Sequence, residues 1–225
     1  MIKDLILNLI FPPRCVECGM VGRYICSNCL KKVEYMEWQM CPVCKKRALD
    51  GITHPYCKSG YSLDGLYILG HYKGPLKSAI KLLKYKLVTD LTEELVSLVD
   101  INNLVLSKLD YITSVPLYPT RLRFRGFNQS DLLGKYLGKK LNIPYKNNIL
   151  ARIKNTKPQA ELKRKERLTN LKGAFALQKN INIEGQNIGI VDDVSTTGTT
   201  LSECAKVLKS RSAREVWGII LAHGN

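Results

Sequence analysis

The chain has 225 residues, of which 45% are hydrophobic, a proportion typical of a soluble globular protein with one medium-sized domain and a small module. No apolar run approaches the length of a membrane-spanning helix, which excludes such a span. The formal net charge is +16, with 35 Lys and Arg against 19 Asp and Glu, and this excess favours anionic partners.

The first predicted element is a short amphipathic helix in MIKDLILNLIFPP, where Leu5, Ile6, Leu9 and Ile10 are apolar. This segment leads directly into cysteine-rich sequence and has no small-residue cleavage site, so we expect a cytoplasmic protein without a secretory signal. Packing on the body of the protein is the favoured interpretation. The alternative is a weak peripheral contact with the inner face of the cell membrane.

Seven of the eight cysteines lie near the N-terminus with the spacing of metal ligands. Each Cys-x-x-Cys hairpin brings two thiolates to one side of a tight turn, and two hairpins complete a tetrahedron that is closed to water. We therefore expect two structural Zn²⁺ ions, with the ligand sets Cys15, Cys18, Cys26, Cys29 and Cys41, Cys44, His54, Cys57. Disulfides are the less favoured alternative, because they require an oxidising compartment.

A domain boundary is predicted near Gly60, which separates a zinc-binding module at 1–60 from an α/β domain at 61–225. The predicted strands are 66–72, 111–115, 149–153, 174–177, 188–192 and 215–221, and the predicted helices are 75–86, 91–99, 129–141 and 201–210. Strands that alternate with helices favour a mostly parallel sheet, and ligands of such sheets bind at the carboxyl ends of the strands.

One polar segment at such an end is VPLYPTRLRFRGFNQS, at 115–130. We predict a loop, stiffened by its prolines, whose guanidinium groups pair with phosphate oxygens in bidentate fashion. The candidate diphosphate-binding residues are Pro116, Leu117, Arg121, Arg125, Asn128 and Gln129. The alternative is a solvated basic loop without a ligand.

The segment 152–173 is polar, rich in Lys and Arg, and is predicted to be a long connection between two strands. Long loops beside binding sites often act as lids that exclude water and supply charge. Candidate contacts of such a lid are Lys157, Gln159, Arg164 and Arg167. A disordered basic loop without a catalytic role is the alternative.

The most informative stretch is IGIVDDVSTTGTT, at 188–200, where an apolar strand predicted to end at Asp192 leads into a hydroxyl-rich loop and a helix. Backbone N–H groups at a helix start, together with Ser and Thr hydroxyls, can surround one phosphate. The candidate phosphate-binding residues are Val194, Ser195, Thr196, Thr197, Gly198, Thr199 and Thr200. The adjacent carboxylates Asp192 and Asp193 suit a ribose diol with Mg²⁺ nearby. An Asp-capped turn with no ligand is the alternative.

This order of parts resembles the phosphoribosyl pyrophosphate (PRPP) motif of type I phosphoribosyltransferases. The resemblance implies that Asp192 and Asp193 hold the ribose hydroxyls in the catalytic site, and that 196–200 cradles the 5′-phosphate. It also implies that PRPP binds with Mg²⁺, and that a flexible loop containing Arg164 and Arg167 covers it.

Four segments together resemble the ComF/GntX family of competence-associated, phosphoribosyltransferase-like proteins: LIFPPRC, RLRFRGFNQS, ARIKNTKPQAELKRKERLTNLKGAF and VDDVSTTGTT. The resemblance spans nearly the whole chain. It implies a mostly parallel sheet of the type I phosphoribosyltransferase kind, a double zinc ribbon, and a role in DNA uptake with other competence proteins as partners. His54 departs from the family pattern, which has a cysteine there.

The positive charge is concentrated at 121–172, which holds fifteen Lys or Arg against three Asp or Glu. A basic groove with interleaved aromatic residues is typical of single-stranded DNA binding. Candidate nucleic-acid contacts are Arg121, Arg123, Arg125, Lys157, Lys163 and Lys165, with Tyr118, Phe124 and Phe127 as stacking surfaces. Anionic lipid and simple solubility are alternative reasons for the charge. Two hypotheses therefore remain, a Mg²⁺-dependent phosphoribosyltransferase and a non-catalytic, PRPP-sensing DNA-binding protein.

Overall fold

The structure is a computed structural model that describes residues 12–85, 88–100, 106–156 and 170–224. Most of the predicted N-terminal helix lies outside these residues, as do the predicted contacts Lys157, Gln159, Lys163, Arg164, Lys165 and Arg167. Among the described residues, no helix is both long and apolar enough to cross a membrane.

The described part of the chain alternates strands and helices, as predicted. The strands are β1 (Gly65–His71), β2 (Tyr111–Ser114), β3 (Leu150–Arg152), β4 (Phe175–Leu177), β5 (Asn187–Ser195) and β6 (Glu215–His223). The helices are α1 (Ser27–Leu30), α2 (Gly74–Tyr85), α3 (Thr89–Ser97), α4 (Pro119–Arg125), α5 (Gln129–Leu141) and α6 (Thr199–Lys209). Short 3₁₀ turns lie at Leu49–Gly51, Pro55–Cys57 and Leu106–Lys108.

Four strands form the central sheet in the order β1-β6-β5-β2, and all three neighbouring pairs are parallel. The predicted mostly parallel α/β fold is therefore confirmed. Because all four strands run in the same direction, the segments that follow β2 and β5 emerge at the same edge of the sheet. The two strands are also direct neighbours, so the two polar segments predicted to carry the site are adjacent in space.

Both faces of the sheet are covered, which explains why β1, β5 and β6 are buried at nearly every position. One face packs on α2, α3 and α5, and Ile25 and Val33 of the cysteine-rich module join the same core, whereas Met40 of the module joins the core on the opposite face. The opposite face packs on α6 and on the β3–β4 pair. Cys204 of α6 is fully buried in this second core, as the helical pattern predicted.

Two predictions about secondary structure are wrong. The arginine-rich segment after β2 is not all loop, because α4 forms there, with Pro119 at its first turn and Gly126 ending it in the left-handed conformation (φ 80°). Strands β3 and β4 do not join the central sheet either, because they pair with each other in an antiparallel ribbon. A three-residue strand gives no sequence signal of the partner it chooses.

The end of β5 also differs from the prediction. The strand continues past Asp192 to Ser195, because β6 extends equally far and the two strands remain paired up to Ser195 and His223. Asp192 and Asp193 are therefore strand residues, and successive side chains of a strand point to opposite faces of the sheet. The two carboxylates have different partners, since Asp192 contacts Ser130 and Asp193 contacts Lys84.

Candidate functional site

The first cysteine set lies in the N-terminal module and has the geometry of a metal centre. The Sγ atoms of Cys15, Cys18, Cys26 and Cys29 all lie within 4.8 Å of one another. A tight hairpin carries the first two, where the Cys15 N–H donates to Met20 at 2.8 Å, and α1 carries Cys29. The structure thus brings together all four predicted ligands of the first site.

The second set, Cys41, Cys44, His54 and Cys57, also has its ligand atoms within 4.8 Å of one another. The Nδ1 of His54 lies 3.3 Å from the Sγ of Cys44, and its Nε2 lies 3.0 Å from the carbonyl oxygen of Arg47. A proton on Nε2 that donates to this carbonyl leaves Nδ1 free to coordinate a metal, the usual arrangement for a histidine ligand. His54 therefore occupies the position of a fourth ligand.

The acidity of the thiols fits a bound cation. Although burial opposes ionisation, backbone hydrogen bonds lower the pKa of Cys15 to about 6 and that of Cys41 to about 7. Burial and hydrogen bonds with neighbouring thiols raise the pKa of Cys29 to about 12 and that of Cys57 to about 11. Each centre thus has one thiol that ionises readily and one that needs a nearby positive charge to ionise. In tetrahedral Cys₄ and Cys₃His sets, a bound Zn²⁺ ion supplies that charge.

The acidic pair lies at the carboxyl end of β5, and each carboxylate has its own cationic or hydroxyl partner. Asp192 is 8% exposed, and its Oδ1 accepts a hydrogen bond of 2.9 Å from the hydroxyl of Ser130, in the first turn of α5. Asp193 is 4% exposed and forms an ion pair of 2.9 Å with the Nζ of Lys84, on α2. The pair is therefore held firmly in place with little contact with water.

This environment makes Asp192 costly to charge. Burial, and next the negative charge of Asp193, raise the pKa of Asp192 from 3.8 to about 7, although Ser130 and Lys84 act in the opposite direction. Burial opposes protonation of Lys84, but the charge of Asp193, the hydrogen bond to Asp193 and the charge of Asp192 together outweigh this effect and raise the pKa of the lysine. Strongly perturbed carboxylates of this kind are concentrated at functional sites.

The loop that follows β5 is lined by hydroxyl groups and opens α6. Its residues 195–200 are buried or half-buried, and Gly198 adopts the left-handed conformation (φ 81°) directly before the first helical residue. The hydroxyl oxygens of Thr197 and Thr199 lie 2.7 Å apart. The predicted combination of hydroxyls, glycine and helix start is thus formed as expected. We call residues 195–200 the hydroxyl loop.

The second polar segment contains α4 and the start of α5, and it contacts the acidic pair through Ser130 of α5. Asn128 caps α5, and its side-chain amide also donates to the carbonyl of Val115, directly after β2, at 3.0 Å. Gln129 is buried and accepts a hydrogen bond from Arg125. Pro116 and Leu117 are half-buried between β2 and α4. These predicted residues therefore lie at the same edge of the sheet as the hydroxyl loop.

Two arginines approach each other beside this edge. Arg121 donates from Nη2 to the carbonyl oxygen of Thr156 at 3.0 Å, and Arg152 donates to the hydroxyl of the same residue. Arg152 is 9% exposed, and its Nε has no hydrogen-bond partner among the described residues. Burial and the charge of Arg121 lower its pKa, while the charge of Asp192 acts in the opposite direction. We call Arg121 and Arg152 the arginine pair.

The remaining arginine of α4 faces away from this cluster. Arg123 is exposed, as is its neighbour Phe124, whereas Arg121 and Arg125, four positions apart, are half-buried. A helix separates residues in this way because positions i and i+4 share a face. The three arginines of the predicted phosphate-binding segment therefore do not act as one group.

Three residues with polar or charged side chains at the site were not among the predicted site residues: Lys84 and Ser130, which contact the acidic pair, and Arg152, which belongs to the arginine pair. Ser130 could have been inferred, because it lies within the first turn of a predicted helix directly after Asn128 and Gln129. Lys84 and Arg152 give no local signal, since each looks like an ordinary basic residue in its own element.

The geometry defines a class of protein, an α/β domain with a parallel sheet and an N-terminal double zinc ribbon. A family model described as "Double zinc ribbon domain" matches residues 6–59, which confirms the predicted zinc-ribbon module. The chain is 34% identical to competence protein F of Haemophilus influenzae over 93% of this chain and 97% of that protein. It is 32% identical to the DNA utilization protein YhgH of Escherichia coli K12, with the same shares covered.

The chain belongs to the family of competence protein F and YhgH, so the ComF/GntX resemblance of its motifs is confirmed. Among solved structures, it is similar to a purine phosphoribosyltransferase from Pyrococcus horikoshii, with a TM-score of 0.28 and 20% identity, over 70% of this chain and 78% of that one.

Proposed function

We propose that this chain binds PRPP with Mg²⁺ at the carboxyl edge of its sheet and is a phosphoribosyltransferase that acts in natural competence, during the uptake of transforming DNA. One observation carries the proposal. A buried carboxylate with a raised pKa, Asp192, is followed after two residues by a hydroxyl-lined loop that opens a helix. A protein gains no stability from such a carboxylate, so a role in binding explains it better.

Each part of the site suits one part of PRPP. The hydroxyl loop and the N–H groups at the start of α6 would hold the 5′-phosphate. Asp192 and Asp193 would accept hydrogen bonds from the ribose hydroxyls, in place of some of their present contacts with Ser130 and Lys84. The arginine pair would bind the diphosphate, because adjacent guanidinium groups are stabilised by an anion between them.

The reaction requires no side-chain nucleophile. The bond from the ribose anomeric carbon to the diphosphate oxygen breaks and its electron pair leaves with pyrophosphate, the acceptor bonds to that carbon through a lone pair, and the proton that the acceptor gives up passes to pyrophosphate or to solvent. The contribution of the chain is to orient the ribose and to stabilise the negative charge that develops on the leaving group, which the arginine pair is suited to do. Mg²⁺ binds through phosphates and one or two carboxylates, and would accompany PRPP and neutralise part of the diphosphate charge.

The test is a calorimetric titration with PRPP and Mg²⁺. Asp192→Asn combined with Asp193→Asn should abolish binding, because amides replace both of the carboxylates that accept the ribose hydroxyls. Its zinc content should not change, since neither residue lies in a cysteine set. Asp50→Asn is the matched control, because it removes an exposed carboxylate from the N-terminal module. Unaltered PRPP binding by the double variant would rule out this site.

Turnover needs a separate assay. Pyrophosphate release should be screened with PRPP, Mg²⁺ and a panel of purine and pyrimidine bases and nucleotides. Release that depends on one acceptor, and that is lost in the double Asn variant, would establish the transferase. Binding of PRPP without release for any acceptor would favour a PRPP-sensing protein instead.

Binding of single-stranded DNA is a second candidate function, and the outer face of α4 favours it. Phe124 is 95% exposed and lies beside the exposed Arg123. An aromatic ring next to a guanidinium group is a typical stacking site for unpaired bases, and a base stacked on it contributes about 1–3 kcal/mol. The names of the relatives, which refer to competence and DNA utilization, are consistent with a DNA ligand.

The DNA hypothesis predicts a specific pattern of affinities for a labelled single-stranded oligonucleotide. Phe124→Ala should weaken binding by about five- to a hundredfold, from the loss of one stacked base. Tyr85→Ala is the control, because Tyr85 is 80% exposed on a different helix. Affinity should also fall steeply as salt increases from about 50 to 200 mM. Equal losses in both variants, or no dependence on salt, would contradict the hypothesis.

A further inference from the structure

The second zinc ribbon lies against the hydroxyl loop, although the two are far apart in the sequence. A Cβ atom added to Gly198 would lie 2.8 Å from the Nζ of Lys45 and 3.9 Å from the carbonyl oxygen of Pro42. Lys45 directly follows the ligand Cys44, and Pro42 follows the ligand Cys41. One metal-binding turn therefore forms a wall of the loop.

The conformation of Lys45 is fixed by that turn. Its backbone is left-handed (φ 63°), which is unfavourable for a residue with a side chain, and its N–H donates to the carbonyl of Cys41 at 3.0 Å. Its Nζ donates to the carbonyl of Pro42 at 2.6 Å, so the side chain folds back over the turn. Backbone strain of this kind is typical of functional positions. The ammonium group is thereby held next to Gly198.

The positive charge of Lys45 also affects His223, which lies beside the hydroxyl loop. His223, at the end of β6, pairs with Ser195 of the hydroxyl loop. Burial lowers the pKa of His223, and the positive charge of Lys45 lowers it further. An anion in the loop would lie next to this ammonium group. The ammonium group could then donate to a phosphate oxygen instead of the Pro42 carbonyl, at little cost in free energy.

We propose that Lys45 is a ligand of the phosphate monoester that binds in the hydroxyl loop, so that the second zinc ribbon forms part of the sugar-phosphate site. This inference rests on the proposed function, because it takes PRPP as the ligand of the loop. In this arrangement Cys41 and Cys44 would hold the metal at the two ends of the turn, and the turn would in this way fix the position of Lys45.

The test compares four proteins by titration with PRPP and Mg²⁺. A hydrogen bond to a charged group contributes enough that Lys45→Gln should weaken binding by about ten- to a hundredfold. Lys45→Arg should restore much of the affinity, since it restores the charge. Lys46→Gln is the matched control, because this neighbouring lysine is exposed. Zinc content and the thermal unfolding midpoint of each variant check that the ribbon is intact.

The outcomes separate this inference from the proposed function. Tight binding by the wild-type protein and equally tight binding by Lys45→Gln would overturn the role of Lys45 and leave the PRPP site standing. Failure of the wild-type protein to bind PRPP would overturn both. A loss confined to Lys45→Gln, with zinc content unchanged, would support the inference.

Discussion

Asp192→Asn should stabilise the ligand-free protein while it weakens PRPP binding. The wild-type protein buries this carboxylate, and its pKa rises from 3.8 to about 7. At about 1.4 kcal/mol for each pH unit, this rise in pKa means that the ionised carboxylate destabilises the folded protein by at most about 4 kcal/mol. An amide oxygen can still accept the hydrogen bonds from Ser130 and from the Asp193 N–H. We therefore expect a gain of about 2–4 kcal/mol in the free energy of unfolding at about pH 8.

The sign of the pH dependence follows from the raised pKa. Between the unfolded and the folded pKa values, the folded state binds more protons than the unfolded state, so the stability of the wild-type protein falls as pH rises through this window. The Asn variant lacks that fall. Its advantage should therefore shrink as pH decreases, to about half of its value at about pH 5.5, and disappear below about pH 4.

The assay is urea denaturation at several pH values above about 5.5, with zinc present at constant concentration. Comparing variant with wild type at each pH cancels the acid sensitivity of the zinc ligands, which both proteins share. Asp50→Asn, an exposed carboxylate, should show no such gain. The reasoning is refuted if Asp192→Asn is no more stable than the wild type at about pH 8, or if its gain is the same at every pH.

Three further substitutions test other parts of the structure. His54→Ala should make the second site lose zinc more readily to a chelator, measured as zinc content by mass spectrometry, and retention of both ions at the same chelator concentration as the wild type would contradict its role as a ligand. Lys84→Met leaves the buried carboxylate of Asp193 unpaired and should cost about 2–4 kcal/mol in urea denaturation; a loss that is just as large with Asp193→Leu added would contradict the ion pair. Gly65→Ala places a Cβ 2.1 Å from the Trp217 ring and should cost more than about 1 kcal/mol, whereas an unchanged unfolding midpoint would mean that the ring can move.

Much of the fold could be predicted, because periodic apolar patterns mark the strands and helices of the sheet. The helix Gln129–Leu141 begins and ends where predicted, and β1, β2 and β6 differ from prediction by one or two residues at their ends. The errors concern strands whose length or pairing depends on which other strand lies beside them. β5 extends past Asp192 because β6 continues beside it, and β3 pairs outside the sheet because β4 is nearby.

The sequence by itself determined the two metal-binding sets and the order of strand, acidic pair, hydroxyl loop and helix. It could do so because these features depend on residues a few positions apart, whose relative placement follows from turn and strand geometry. Only the tertiary structure showed which basic side chains lie at the site. Lys84 reaches Asp193, Arg152 reaches Arg121, and Lys45 reaches the hydroxyl loop. These contacts join distant segments, so the pairing of strands and the packing of helices and ribbon on the sheet had to be known first.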